Sequence, residues 1–166
     1  MDLFRTKRLS VRPFKLEDGS DCEEFLSDPE VMKYIGDGNF DFSITSAQKM
    51  VQWFIQSSDS AGEIGTWAIV SLSDKKVIGN YHLSVCNAVD KVEFGLSLSK
   101  KYWRQGLGTE LCEGLLQYGR KTIGYDAVGI THSENVASKR LLKRLNFKFD
   151  RELELYGVAQ ELYVRS

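Results

Sequence analysis

Gly106-Leu107-Gly108-Thr109 stands between an alternating apolar run and a leucine-spaced run. Val92, Phe94, Leu96 and Leu98 alternate with Glu93, Gly95, Ser97 and Ser99, which predicts a strand. Leu107, Leu111, Leu115 and Tyr118 share one helical stripe, which predicts a helix. A glycine-rich turn from strand to helix has one plain use, a tight corner, and one chemical use, an anion cradle. The first turn of a helix leaves its amide N–H groups unpaired, and the helix dipole adds positive charge there. Together they hold a phosphate without a lysine. Two phosphate loops do not fit. The sequence G-x-x-x-x-G-K-[ST] is absent, and the third glycine of G-x-G-x-x-G is replaced by Leu111.

Other reactive residue types are weaker leads. Cys112 falls beside the leucine stripe of its helix and reads as core rather than nucleophile. His82 and His132 are isolated and read as structural. Three dispersed cysteines with no C-x-x-C, and only two histidines, predict no metal site and no disulfide framework. Glu93 alternates with Val92 and Phe94, so it faces away from the main buried row. Asn135 has the chemistry of a helix N-cap, and Ser138 lies in the first turn after it.

The elements around these residues intermix strands and helices in one domain, residues 1–166. Leu9, Val11 and Pro13 predict a first strand near a sheet edge. Ser20-Asp21 is read as a cap for a helix carrying Cys22, Phe25 and Leu26, and Thr45 with Gln48 as a capping box. Residues 36–43 read as a loop. Strands are expected over 67–72, 77–86, 126–131, 147–155 and 159–165, the last two as a hairpin. The helix after the glycines is expected to end near Gly124. The helix after Asn135 is expected to bury Ala137, Leu141, Leu142 and Leu145, with Asn146 in the left-handed conformation behind it. Trp53, Phe54, Trp67 and Tyr81 are candidates for a pocket wall or for core.

A net charge of −1 argues against nucleic acid as a partner. No apolar run approaches the ~20 residues of a membrane span, and the first residues carry no signal-peptide pattern. The expectation is a cytoplasmic protein, monomer or homodimer.

Taken in order, three motifs resemble the GNAT N-acetyltransferases, in the branch of the RimJ/RimL-like ribosomal-protein acetyltransferases. They are Arg5-Thr6-Lys7-Arg8-Leu9, then Tyr102-Trp103 with the glycine loop, then Asn135-Val136-Ala137-Ser138 running on to Leu145-Asn146-Phe147. Trp103 departs from the family's commonest loop, which has Gln or Arg there, and Asn146 replaces a usual glycine. The resemblance implies an α/β fold with a mixed, mostly antiparallel sheet flanked by helices, and coenzyme A bound at a splayed strand pair. It implies acetyl transfer from acetyl-CoA to a primary amine by direct attack. The amine would be a protein N-terminus, a polyamine or another small amine. The rival reading is an acyl-CoA-binding module without turnover.

Roles follow from the resemblance. The amides of Arg104, Gln105, Gly106, Leu107, Gly108 and Thr109 would hold the pyrophosphate. The backbone of Ser97 and Leu98 would pair with the pantetheine arm, and Asn135 would bind the same arm. Glu93 would be the base, and Ser138 would meet the departing thiolate. Arg104, Lys139, Arg140 and Lys143 are candidates for the nucleotide phosphates, or form a solvated basic face.

Overall fold

The computed structural model describes residues 1–35, 46–122 and 127–165, with side chains omitted for 119–122. One eight-stranded sheet runs through the chain, formed by β1 (Phe4–Arg5), β2 (Leu9–Arg12), β3 (Gly65–Ser71), β4 (Lys76–Cys86), β5 (Lys91–Leu98), β6 (Val128–His132), β7 (Lys148–Leu155) and β8 (Val158–Val164). The spatial order is β1-β2-β3-β4-β5-β6-β8-β7. Every pairing is antiparallel except β5 with β6. Pro13 falls just past β2 and removes no ladder bond, and the edge is taken by the two-residue β1 instead.

Among the described residues, five α-helices cover the two faces: α1 (Gly19–Leu26), α2 (Pro29–Met32), α3 (Ala47–Ser57), α4 (Leu107–Thr122) and α5 (Val136–Arg144). The strand alternation decides which face each residue feeds. Val11, Trp67, Tyr81, Leu83, Val92, Phe94 and Leu98 pack against Leu107, Leu111 and Leu115 of α4 and Leu142 of α5. Phe25 of α1 and Val51 and Phe54 of α3 pack on the other face over Ala68 and Val77. The leucine stripe of α4 is therefore the buried stripe that its spacing predicts.

Local rules explain the ends of these helices. Asn135 Oδ1 accepts the Ser138 N–H at 3.1 Å, which caps α5. At its other end Asn146 has φ +67°, and the Phe147 and Asn146 N–H groups return to the Leu142 and Lys143 carbonyls. That double bond closes the helix in a Schellman turn, with asparagine in the usual glycine place. Three local expectations change. Ser46, not Thr45, caps α3, and Thr45 lies outside the described residues. α1 starts earlier, at Gly19, so Asp21 is inside it and accepts the Val77 N–H at 3.0 Å, tying α1 to β4. Ala137 is exposed rather than buried, because the inward face of α5 runs through Leu141, Leu142 and Leu145. The expected loop 36–43, the helix end near Gly124 and the strand start at Asp126 lie outside the described residues. Among the described residues no helix is long and apolar enough to cross a membrane.

Candidate active site

β5 and β6 are paired through Glu93 with Val128 and Phe94 with Gly129. Beyond that rung the two strands share no further pairing, while β6 stays paired on its other edge to β8 from Gly129 to His132. A gap thus opens along Gly95–Leu98. It opens at the C-terminal ends of two parallel strands, where α/β sheets characteristically place ligands.

The phase of β5 decides which of its peptide groups face the gap. Ser99 donates its N–H to the Ile78 carbonyl of β4 at 2.7 Å. Antiparallel pairs alternate, so Ser97, Gly95 and Glu93 also direct their backbone groups to β4. Leu96 and Leu98 direct theirs into the gap. The Leu98 carbonyl already has a donor there, because the Trp103 indole N–H reaches it at 2.8 Å. Among the described residues, the groups this leaves open are the Leu96 N–H and C=O and the Leu98 N–H.

The glycine turn follows directly. Lys100–Tyr102 form a 3-10 turn, held by the Lys100–Glu30 and Lys101–Glu24 ion pairs and by the Tyr102 hydroxyl on Asp74 at 2.7 Å. Arg104 (φ +60°) and Gly106 (φ +76°) then turn the backbone left-handed into α4. The first helical bond runs from the Glu110 N–H to the Gly106 carbonyl. The amides before it have no partner within the helix. A Cβ at Gly106 or Gly108 would meet nothing closer than 3.6 Å, so the space over the turn is open.

A clamp from the start of the chain holds this turn. Glu110 accepts from the Thr6 hydroxyl at 2.6 Å, from the Arg8 N–H at 2.8 Å and from Arg8 Nε at 2.8 Å. Arg8 also donates to the Gln105 carbonyl at 2.9 Å. Burial disfavours the Glu110 charge, but the hydrogen bonds from Thr6 and Arg8 outweigh it and hold the carboxyl below its ordinary pKa. Arg144 of α5 lies 3.4 Å from the Thr109 hydroxyl.

Glu93 lies on the face opposite α4, next to the rung where the gap opens. Burial raises its pKa above the ordinary carboxylate value, against a 3.1 Å hydrogen bond from Ser84. Asn135 and the half-buried Ser138 lie at the N-terminus of α5, just past the end of β6.

Residues 8–148 match the Acetyltransferase (GNAT) domain. The chain belongs to the GNAT acetyltransferase family. An N-acetyltransferase of Bacillus licheniformis is 27% identical over 162 residues, which cover 96% of this chain and 90% of that protein. Among solved structures, a GNAT acetyltransferase from Bacillus anthracis superposes with a TM-score of 0.77 at 19% identity, covering 96% of this chain and 95% of the other. The ribosomal-protein α-N-acetyltransferase RimL, solved with coenzyme A, gives 0.75 at 16% identity, covering 98% and 96%. The protein is an N-acetyltransferase of this family, with the mixed sheet and flanking helices that the resemblance implies.

Arg8 and Arg144 flank the glycine turn, whereas Lys139 is tied to the Ser133 carbonyl and Glu161. Thr6 and Arg8 lie in the opening motif, which matched the family by pattern without disclosing a role. Trp67 and Tyr81 are not pocket walls, because they pack on each other at 5.2 Å inside the α4-side core. Phe54 is core too, and of the four aromatic candidates only Trp53 is exposed. Cys112 is fully buried, and desolvation pushes its thiol up to about 12, which suits packing and not nucleophilic attack.

Proposed function

We propose that this acetyltransferase moves the acetyl group of acetyl-CoA to a primary amine by direct attack. The observation that carries the reading is the gap between β5 and β6 leading to the glycine turn of α4. The pantetheine arm carries amide groups spaced like a peptide. It suits the unpaired edge of β5, as an added strand suits a sheet edge. The Leu96 backbone and Leu98 N–H are the partners in this reading, in place of the Ser97 backbone, which β4 takes. The amides of residues 104–109 receive the pyrophosphate, with Arg8 and Arg144 beside it, and Asn135 flanks the arm. RimL, which shares the fold, is solved in complex with coenzyme A.

An amine reacts through its lone pair, yet a lysine-like amine is protonated at neutral pH, with a pKa near ~10.4. Glu93, through its raised pKa, accepts that proton directly or through water. The amine nitrogen then forms its bond to the thioester carbon. The C–S bond breaks, and the thiolate leaves with a hydrogen bond from the Ser138 hydroxyl. Glu93 passes the first proton to solvent, the second, released as the amide forms, goes to the regenerated carboxylate, and the thiolate takes up a proton from solvent. Three buried free thiols suit a reducing cytoplasm.

Thiol release from acetyl-CoA, measured across peptide α-amines, polyamines and amino sugars, tests the reading. Release that depends on one amine class supports it and names the acceptor. Tight acetyl-CoA binding with no release for any amine overturns it in favour of a binding module.

A further inference from the structure

On β4, His82 lies directly across from Gly95 of β5, one pair along from Ser84 and Glu93. The four residues share the face that points away from α4. A Cβ at Gly95 would lie 2.3 Å from His82 Cε1, 3.0 Å from Nε2 and 3.1 Å from Nδ1. The imidazole therefore occupies the space that any side chain at 95 would need. The Gly95 backbone lies outside the left-handed region, so glycine serves space here and not torsion. Neither imidazole nitrogen receives or donates a hydrogen bond among the described residues, although Glu93 next door has Ser84. A half-buried histidine whose nitrogens have no partner among the described side chains, laid over the strand that carries Glu93, keeps both nitrogens available to a ligand.

We propose that His82 is an acceptor-binding residue, whose imidazole accepts one N–H of the incoming primary amine and aims its lone pair at the thioester. This rests on the transferase reading above. A primary amine has two N–H bonds in its reactive form. One points to His82, and the other is surrendered to Glu93 once the bond to carbon forms. A secondary amine has a single N–H and cannot serve both. Burial also pushes the imidazole down to about 4, so it carries no charge at neutral pH. A cationic histidine would pair with Glu93 and repel an arriving ammonium. Glu93 on β5 is the adjacent titratable group, His132 of β6 shares the face by strand phase, and β3 presents Thr66 opposite His82.

The test uses the best primary amine from the panel above and its N-methyl form. His82→Phe keeps the ring and removes the nitrogens. The expected result is about a tenfold rise in KM for the primary amine, equivalent to one lost hydrogen bond. KM for acetyl-CoA stays within about twofold, and the preference for the primary over the N-methyl amine shrinks. His82→Asn, which keeps an acceptor oxygen in less volume, recovers part of that preference. An unchanged amine KM and preference in His82→Phe overturns the assignment. Equal losses for amine and acetyl-CoA in both variants overturn it as well, since they report damage to the fold. A wild-type enzyme that binds acetyl-CoA by calorimetry but turns over no amine refutes the transferase reading and this inference with it. Turnover in wild type with an indifferent His82→Phe refutes only the inference.

Discussion

Arg8 and Glu110 meet through two hydrogen bonds of 2.8 Å, one from the Arg8 backbone and one from its guanidinium, across 102 residues of chain. The same guanidinium continues to the Gln105 carbonyl. The start of the chain thus fixes the shape of a turn formed two-thirds of the way along it. The charge of Glu110 serves this clamp as well as the dipole of α4.

Glu110→Gln should therefore loosen the turn. Charge-assisted hydrogen bonds contribute about 1.5–3 kcal/mol each, and exposure of Arg8 reduces that here, so a stability loss of about 1–2 kcal/mol is expected. KM for acetyl-CoA should rise several-fold with little change for the amine. The folded-state pKa of Glu110 is depressed, so its contribution is present above the ordinary carboxylate pKa and is lost as pH falls through the depressed value. Melting curves between neutral and acid pH should converge for variant and wild type at the acid end. A constant gap would contradict the clamp.

Trp103→Phe removes the donor that occupies the Leu98 carbonyl. The edge of β5 would then offer one more acceptor than the pantetheine arm needs, and the arm could slip its pairing. A three- to tenfold rise in KM for acetyl-CoA is expected, with stability nearly unchanged because Trp103 is partly exposed. Isothermal titration with coenzyme A reads this directly. Equal affinities would show that the indole does not set the pairing.

Gly106→Ala and Gly108→Ala separate backbone strain from ligand space. Gly106 is left-handed at φ +76°, and an alanine there costs about 1–2 kcal/mol. Gly108 is helical, and its added Cβ would meet Leu141 at an ordinary 3.6 Å. Gly106→Ala should lower the melting temperature, while Gly108→Ala should leave it near wild type. Both should weaken coenzyme A binding if the amides form the phosphate cradle. Undiminished affinity in both would place the pyrophosphate elsewhere.

Glu93→Gln tests the base. Burial raises the pKa of this carboxyl, so the folded protein holds the proton more tightly than the unfolded chain. Stability associated with Glu93 then falls as pH rises from the ordinary value through the raised one. The glutamine variant escapes this cost and should melt at the same or a higher temperature at neutral pH. Its kcat should drop about 10²–10⁴-fold, and the acid limb of the wild-type pH–rate profile should vanish. Retention of both kcat and that limb would remove Glu93 from the mechanism.

Features set by near neighbours in sequence were legible before the structure. The strand–glycine–helix corner, the Asn135 cap, left-handed Asn146 and the outward phase of Glu93 depend on a few adjacent residues. Features set by pairing were not. Which of Ser97 and Leu96 turns its backbone to the gap depends on the register with β4, which alternation within β5 leaves open. The Arg8–Glu110 clamp depends on a contact distant in sequence. Trp67 and Tyr81 have the composition of a pocket wall, and only their strand phase assigns them to core. The fit of the His82 ring over Gly95 was not legible either, because it depends on a residue of another strand.

The unpaired stretch of β5 has a consequence for how such a site drifts. Peptide groups are the same whatever side chain they carry. A recognition surface written in main chain passes through most point substitutions intact, whereas Glu93, His82 and the rest of their face can be rewritten one side chain at a time. Under the proposed function, the fold would separate an inherited grip on one substrate from a freely editable choice of the other.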